Sequence, residues 1–212
     1  MMTTTYVQYG CGLSAPQEWL NFDASPTLRI QRMPILGTWV KGRLNAVFPS
    51  NVMYGDIIKG LPIAANSCDG LYCSHTLEHL ALHDFRKALS NSLLILKPGG
   101  IFRCIVPDLE CLARNYIHKL EKGDALASIS FIDGTLLGYQ ERPRGIKGLM
   151  SSFFGNSHHL WMWDTSSLSQ ELERAGFREI RTCRFHDSSD KMFERVEDRG
   201  RFENAVAIEC VK

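Results

Sequence analysis

The sequence predicts a single α/β domain built on a mostly parallel sheet, and three observations predict it. Short β-prone runs alternate with helical patterns over brief links, the arrangement that yields a parallel sheet covered on both faces. The opening stretch, Val7 to Asp23, sets a strand, a glycine turn and an acid at the end of a second strand in succession, which is how an α/β sheet builds a nucleotide site. A chain of 212 residues suffices for one full core without a second independent domain.

Taken in order, the run from Thr3 to Val7, closed by Tyr9, is β-prone, and Gly10-Cys11-Gly12 turns it. Glycines there let backbone approach a ligand closely, and Asp23, ending the Trp19 to Phe22 run, can accept from ribose hydroxyls. One Gly-x-Gly is equally an ordinary turn, so the turn alone defines nothing. Ser25-Pro26 signals a helix start. Residues 34 to 50 are irregular, punctuated by Pro34, Gly37, Gly42 and Pro49. Asn51 to Tyr54 reads as a short strand followed by a second acid, Asp56, and Asp69 to Ser74 as a buried strand.

From Asp84 onward, Phe85, Ala88, Leu89, Leu93 and Leu96 recur at helical spacing until Lys97-Pro98-Gly99-Gly100 stops them. Ile101 to Val106 reads as a strand, and Pro107 as the opening of a helix with Leu109, Leu112, Ala113, Tyr116, Ile117 and Leu120 on its apolar face. Residues 124 to 163 break the alternation with a further helix, a basic loop over 138 to 148 and an aromatic run from Phe153 to Trp163. Asp164-Thr165 caps a helix that Gly176 ends. Phe177 to Phe185 and Asn204 to Val211 read as the closing strands.

Composition excludes several classes. The formal net charge is +1 with no charge block, so neither nucleic acid nor a membrane surface is an expected partner. No apolar run reaches the length of a membrane span, and the opening residues lack the pattern of a signal peptide. The 7 cysteines form no Cys-x-x-Cys pair; buried thiols in a reducing compartment fit them better than disulfides or a zinc site. A soluble, cytoplasmic protein is expected.

Seven pieces in fixed order carry a resemblance: YGCG (9–12), WLNFDASP (19–26), YGDI with LPI (54–57, 61–63), CDGLYCSHTLEHL (68–80), LKPGGIFRCIVPDLE (96–110), HLWMWD (159–164) and AGFREIR (175–181). Through them the chain resembles the class I, Rossmann-like S-adenosylmethionine-dependent methyltransferases, in particular a compact bacterial group with a Gly-Cys-Gly turn and a shortened first helix. The resemblance spans most of the chain except about 111 to 158. It implies one doubly wound, mostly parallel sheet of about seven strands with a final antiparallel strand, forming a single domain over residues 1–212. Residues 111–158 would be a helical and loop insertion that lids the acceptor. It implies S-adenosylmethionine as cofactor, with Gly10 and Gly12 passing under the methionine part and Asp23 holding the ribose hydroxyls. Asp56 would accept from the adenine amino group with Ile57 packing near the ring, while Ser74 and His75 would line the methyl-transfer cleft.

Two departures bear on that reading. The acid usual two places before the first glycine is Gln8, and Asp23 follows Gly12 by only 11 positions, against ~20 in dinucleotide fingerprints. The first helix is therefore expected to be little more than Ala15 to Trp19, with less dipole to offer the site. A non-catalytic binding or interaction module on the same fold is the competing reading.

Among the remaining candidates, His75-Thr-Leu-Glu78-His79 matches the inverted zinc-peptidase pattern H-x-x-E-H. It follows a buried strand and lacks a downstream acidic ligand motif, so Glu78 and His79 read as anchors of a helix start and no metal is expected. Asp108 and Glu110 read as favourable charge on a helix N-terminus. His159 matches the histidine of the resembled family's HLWMWD-like run; His158 has no such support. Arg142, Arg144 and Lys147 read as solvated surface. The expected activity is methyl transfer to a small-molecule acceptor, glycan-like metabolites included, with His75 or His159 as base. A homodimer is left open.

Overall fold

The computed structural model describes residues 4–33, 47–141 and 158–212. Among the described residues seven strands form one sheet: β1 Tyr6–Tyr9, β2 Leu20–Asp23, β3 Val52–Tyr54, β4 Cys68–Ser74, β5 Leu96–Pro107, β6 Arg178–Thr182 and β7 Ala205–Val211. Their spatial order is β3-β2-β1-β4-β5-β7-β6. The pairings from β3 through β5 are parallel, and β7 runs antiparallel to both β5 and β6. The chain reverses direction across the sheet between β1 and β4, the switch point beyond which open α/β sheets bind ligands.

Strand alternation divides the core in two. Val7, Tyr9, Leu71, Cys73, Phe102 and Ile208 point to one face. There they meet Phe85 and Leu89 of helix α2 (Leu82–Ile95) and Leu168 and Leu172 of helix α5 (Thr165–Ala175). Tyr6, Tyr72, Ile105 and Ala207 point to the other, against Trp19, Phe193 and Val196. All four residues of β1 are buried, as expected of a central parallel strand. The edge strand β6 is instead mostly exposed and carries Arg178, Glu179 and Arg181, charges that discourage edge pairing.

Helix α1 (Pro26–Gln31) starts where Ser25-Pro26 predicts, with the Ser25 side chain accepting from the Thr27 amide. Helix α5 is capped by a reciprocal pair, Asp164 with the Ser167 amide and the Ser167 hydroxyl with the Asp164 amide, and ends at Gly176. The helix expected over Ala15 to Trp19 does not form; that segment is a series of turns. Its carbonyls go to side chains instead. Gln8 Nε2 donates to Ser14 O at 2.8 Å and to Asn21 Oδ1 at 2.5 Å, while Asn21 Nδ2 donates to Pro16 O at 3.0 Å and Trp19 O at 2.8 Å. Pro16 also pushes Ala15 toward extended backbone.

The second face is covered by the connection between β6 and β7, which contains the 3₁₀ turns Lys191–Arg195 and Arg199–Phe202. Trp19 Nε1 donates to Met192 O at 3.2 Å, and its ring meets Phe193 edge-on at 5.5 Å. On this face Arg103, fully buried on β5, pairs with Asp187 at 3.0 Å, Glu197 at 2.7 Å and Glu209 at 2.6 Å. A buried guanidinium persists only with such compensation.

Beyond β5, helix α3 (Leu109–Glu121) is capped by Asp108, whose Oδ1 accepts from the Glu110 amide at 2.8 Å. Pro107 is the last strand residue rather than the first helical one. The expected apolar face of α3 is only partly covered: Tyr116 meets Phe131 of helix α4 (Ala127–Thr135) at 5.4 Å, but Ile117 and Leu120 stay exposed. The basic loop residues Arg142, Arg144 and Lys147, and Phe153, lie outside the described residues. All 7 cysteines are free, and six are buried. Among the described residues no helix is long and apolar enough to cross a membrane.

Candidate functional site

At the end of β1 the chain enters left-handed backbone twice, Gly10 at φ +64° and Gly12 at φ +55°. A Cβ on Gly10 would lie 2.0 Å from Thr76 Oγ1, whereas one on Gly12 would meet nothing within 4 Å. The first glycine is thus required by close packing on the loop after β4; at the second the φ angle favours glycine. The turn is stapled to β2: Cys11 N donates to Phe22 O at 3.2 Å, and Gly12 N donates to Asp23 Oδ2 at 2.9 Å. Asp23 Oδ1 accepts from Ser25 N at 2.7 Å. Each oxygen accepts one backbone N–H and keeps a further lone pair. Asp56 is arranged alike, Oδ1 accepting from Ile58 N at 3.0 Å and Oδ2 lying 3.1 Å from Lys59 Nζ.

These groups border one cavity of about 550 Å³ at the carboxyl ends of β1, β2 and β4. Of the residues singled out in the sequence, Gly10, Gly12, Asp23, Asp56, Ile57 and His75 line it. Ser25, Thr76, His79, Leu160 and Arg201 line it too. Ser74 does not; it faces an adjoining cavity of about 210 Å³ with Gln8, Tyr72 and Arg195, and Arg201 borders both. The hydroxyls of Ser74 and Tyr72 are buried with no hydrogen-bond partner among the described residues. No motif foretold Arg201, because the β6–β7 connection reaches the glycine turn only through tertiary folding.

His75 stands at the mouth of β4 in left-handed backbone, φ +49°, held by its amide donating to Ile105 O at 2.9 Å. Such a conformation is uncommon outside glycine and clusters at functional positions. Its Nε2 lies 2.9 Å from Arg201 O. A carbonyl can only accept, so Nε2 carries the proton of the neutral ring and Nδ1 keeps a lone pair. Nδ1 is 3.6 Å from Glu78 Oε1. Burial pulls the His75 pKa below its usual value.

His159 is brought to the same neighbourhood but behind the wall. Its ring is 5.1 Å from that of His79, and its Nδ1 is 2.8 Å from Thr135 O and 3.2 Å from Met162 Sδ. Burial first, then the neighbouring His79, lower its pKa. The run that follows is tied to the loop after β4 by the Glu78 carbonyl, which accepts from Leu160 N at 2.8 Å and Trp161 N at 3.1 Å. Glu78 is 1% exposed, and burial pushes its carboxyl up to about 7. Asp108 caps α3 and Glu110 pairs with Arg114 on the surface.

Known proteins agree with this fold. Residues 7–104 match the family model described as a methyltransferase domain. Among solved structures, a SAM-dependent methyltransferase from Archaeoglobus fulgidus is 16% identical, with 99% of this chain and 86% of that one aligned at a TM-score of 0.51. A SAM-dependent methyltransferase from Thermotoga maritima, described as a possible histamine N-methyltransferase, is 22% identical over 100% of this chain and 84% of that one, at a TM-score of 0.50. No curated protein matches. At such identities the structures speak to fold alone, and the fold is that of the class I S-adenosylmethionine-dependent methyltransferases. Over residues 7–104, just under half of the chain, the sequence is similar to methyltransferase domains.

Proposed function

We propose that the protein transfers a methyl group from S-adenosylmethionine to a small-molecule acceptor bearing a hydroxyl or amine, glycan-like metabolites among them. One observation carries the reading: a single cavity of about 550 Å³ runs from the Gly10–Gly12 turn, Asp23 and Asp56 to His75. Its size suits a cofactor-scale ligand, and its position follows the rule for open α/β sheets. The residues fit the cofactor by their chemistry. Gly12 offers backbone with open space around it, and both strand-end carboxylates retain accepting capacity toward hydroxyl and amino groups.

The bound cofactor supplies a methyl group already activated on sulfur, so alignment contributes most of the acceleration. The protein's part is to hold that alignment and to accept a proton from the acceptor. We assign that proton to His75: it borders the cavity, and the Arg201 carbonyl fixes its tautomer so that Nδ1 keeps the basic lone pair. Helices α3 and α4, with the 158–163 run, are the elements that would cover the acceptor.

The test pairs calorimetry with a transfer assay. S-adenosylhomocysteine is expected to bind one per chain, and His75→Asn to bind it equally while losing transfer to a hydroxyl acceptor. No binding of either S-adenosylmethionine or S-adenosylhomocysteine would overturn the reading. Binding without transfer to any acceptor in a panel of sugars, polyols and amines would leave a binding module.

A further inference from the structure

We propose that Glu78, His79 and His159 form a binding site for one divalent cation of the zinc class, with both imidazoles and the carboxylate as its protein ligands. One ligand atom from each residue lies within 4.8 Å of the others, and His79 Nε2 is 4.0 Å from Glu78 Oε1.

The site is legible from where the protons must be. His79 Nδ1 lies 2.9 Å from His158 O, and His159 Nδ1 lies 2.8 Å from Thr135 O. Carbonyls accept only, so Nδ1 of each neutral ring is protonated and Nε2 holds the lone pair. A histidine whose Nδ1–H is anchored on a backbone carbonyl is oriented as metal-binding histidines are. The third group is a carboxylate that only accepts when ionised. Both Glu78 oxygens are buried without a hydrogen-bond partner among the described residues, at 1% residue exposure. When Glu78 is ionised, the three residues bring lone pairs together with no N–H bonded to the carboxylate, an arrangement costly to bury. One cation satisfies all three.

Ligand type selects the ion. Two imidazoles and one carboxylate suit zinc and its divalent neighbours, whereas calcium and magnesium take oxygen ligands. Three protein ligands also leave a position open. Ligand atoms about 2 Å from a tetrahedral ion sit a little over 3 Å apart, so binding would draw these side chains inward by roughly 1 Å. His79 lines the 550 Å³ cavity, which gives the ion a way in from solvent.

This site differs from the sequence expectation of no metal, which weighed His75 with His79 on one helical face. The chain from 75 to 79 is not a continuous helix; only Leu77–His79 forms a 3₁₀ turn. The second imidazole arrives from position 159, fixed by the Glu78 carbonyl holding Leu160 and Trp161.

The test uses the whole protein, stripped with a chelator and titrated with Zn²⁺ and, for its visible spectrum, Co²⁺. One equivalent of Zn²⁺ is expected to bind and to raise the melting temperature. Glu78→Gln and His159→Ala should each weaken binding at least ~10-fold and abolish the Co²⁺ absorption bands. The exposed His118→Ala should change nothing. Circular dichroism checks the fold, and His79→Gln replaces any variant that fails it. Absence of stoichiometric binding by the unmodified protein, or equal affinity in the triad variants and His118→Ala, would overturn the site. Cation binding is read without cofactor or acceptor, so the result is independent of methyl transfer.

Discussion

Asp23 shows how one side chain can shape the backbone and still serve a ligand. Its two oxygens accept from Gly12 N and Ser25 N, fixing the glycine turn to the start of α1 while the carboxylate borders the cavity. Asp23→Ala should therefore weaken S-adenosylhomocysteine binding by more than ~1 kcal/mol, the scale of a charge-assisted hydrogen bond. Unchanged affinity by calorimetry would remove Asp23 from the site. At this scale the sequence was informative where a motif dictates backbone: Gly10, Gly12, Asp23, Asp56, Ile57 and His75 all border one cavity. It was uninformative where a side chain's direction depends on the opposite wall. Ser74 faces the smaller cavity, His159 lies behind His79, and Arg201 enters from 127 residues beyond Ser74.

Among the elements, those with strong local signals formed where expected, and capping is the reason. Asp164 accepts from the Ser167 amide and hydroxyl, at 2.7 Å and 2.8 Å, and these bonds hold its carboxyl below the usual value of 3.8. A carboxylate with a lowered folded pKa adds stability above its unfolded pKa and loses it as pH falls through the folded one. Asp164→Ala should cost about 1 kcal/mol at neutral pH. The gap between variant and parent in urea unfolding should close as pH drops from about 4 downward. A gap unchanged at low pH would mean that the hydroxyl pair with Ser167, not the charge, carries the cap. The first helix does not form, for a different reason. Nothing local shows that Gln8 and Asn21 would claim the carbonyls of Ser14, Pro16 and Trp19 and hold the segment in turns.

On the scale of the molecule, the missing first helix sets a problem that the β6–β7 connection solves. The face formed by Tyr6, Tyr72 and Ile105 needs cover, and Phe193 and Val196 provide it with Trp19. The same connection carries Glu197 to the buried Arg103 and Arg201 to both cavities. Cover for the core and a wall of the site are therefore one segment. Phe193, fully buried between Trp19 and the sheet, is the residue on which both roles should turn. Phe193→Ala is expected to cost about 3–5 kcal/mol, as large-to-small changes in a tight core do. Loosening the segment should also displace Arg201 and weaken S-adenosylhomocysteine binding at temperatures where the variant is still folded. Leu89→Ala, on α2 against the other face, removes a comparably buried side chain at about 2–5 kcal/mol and should leave affinity unchanged. Equal affinities in the two variants, measured by calorimetry on the folded proteins, would show that the β6–β7 connection supports the fold but not the site.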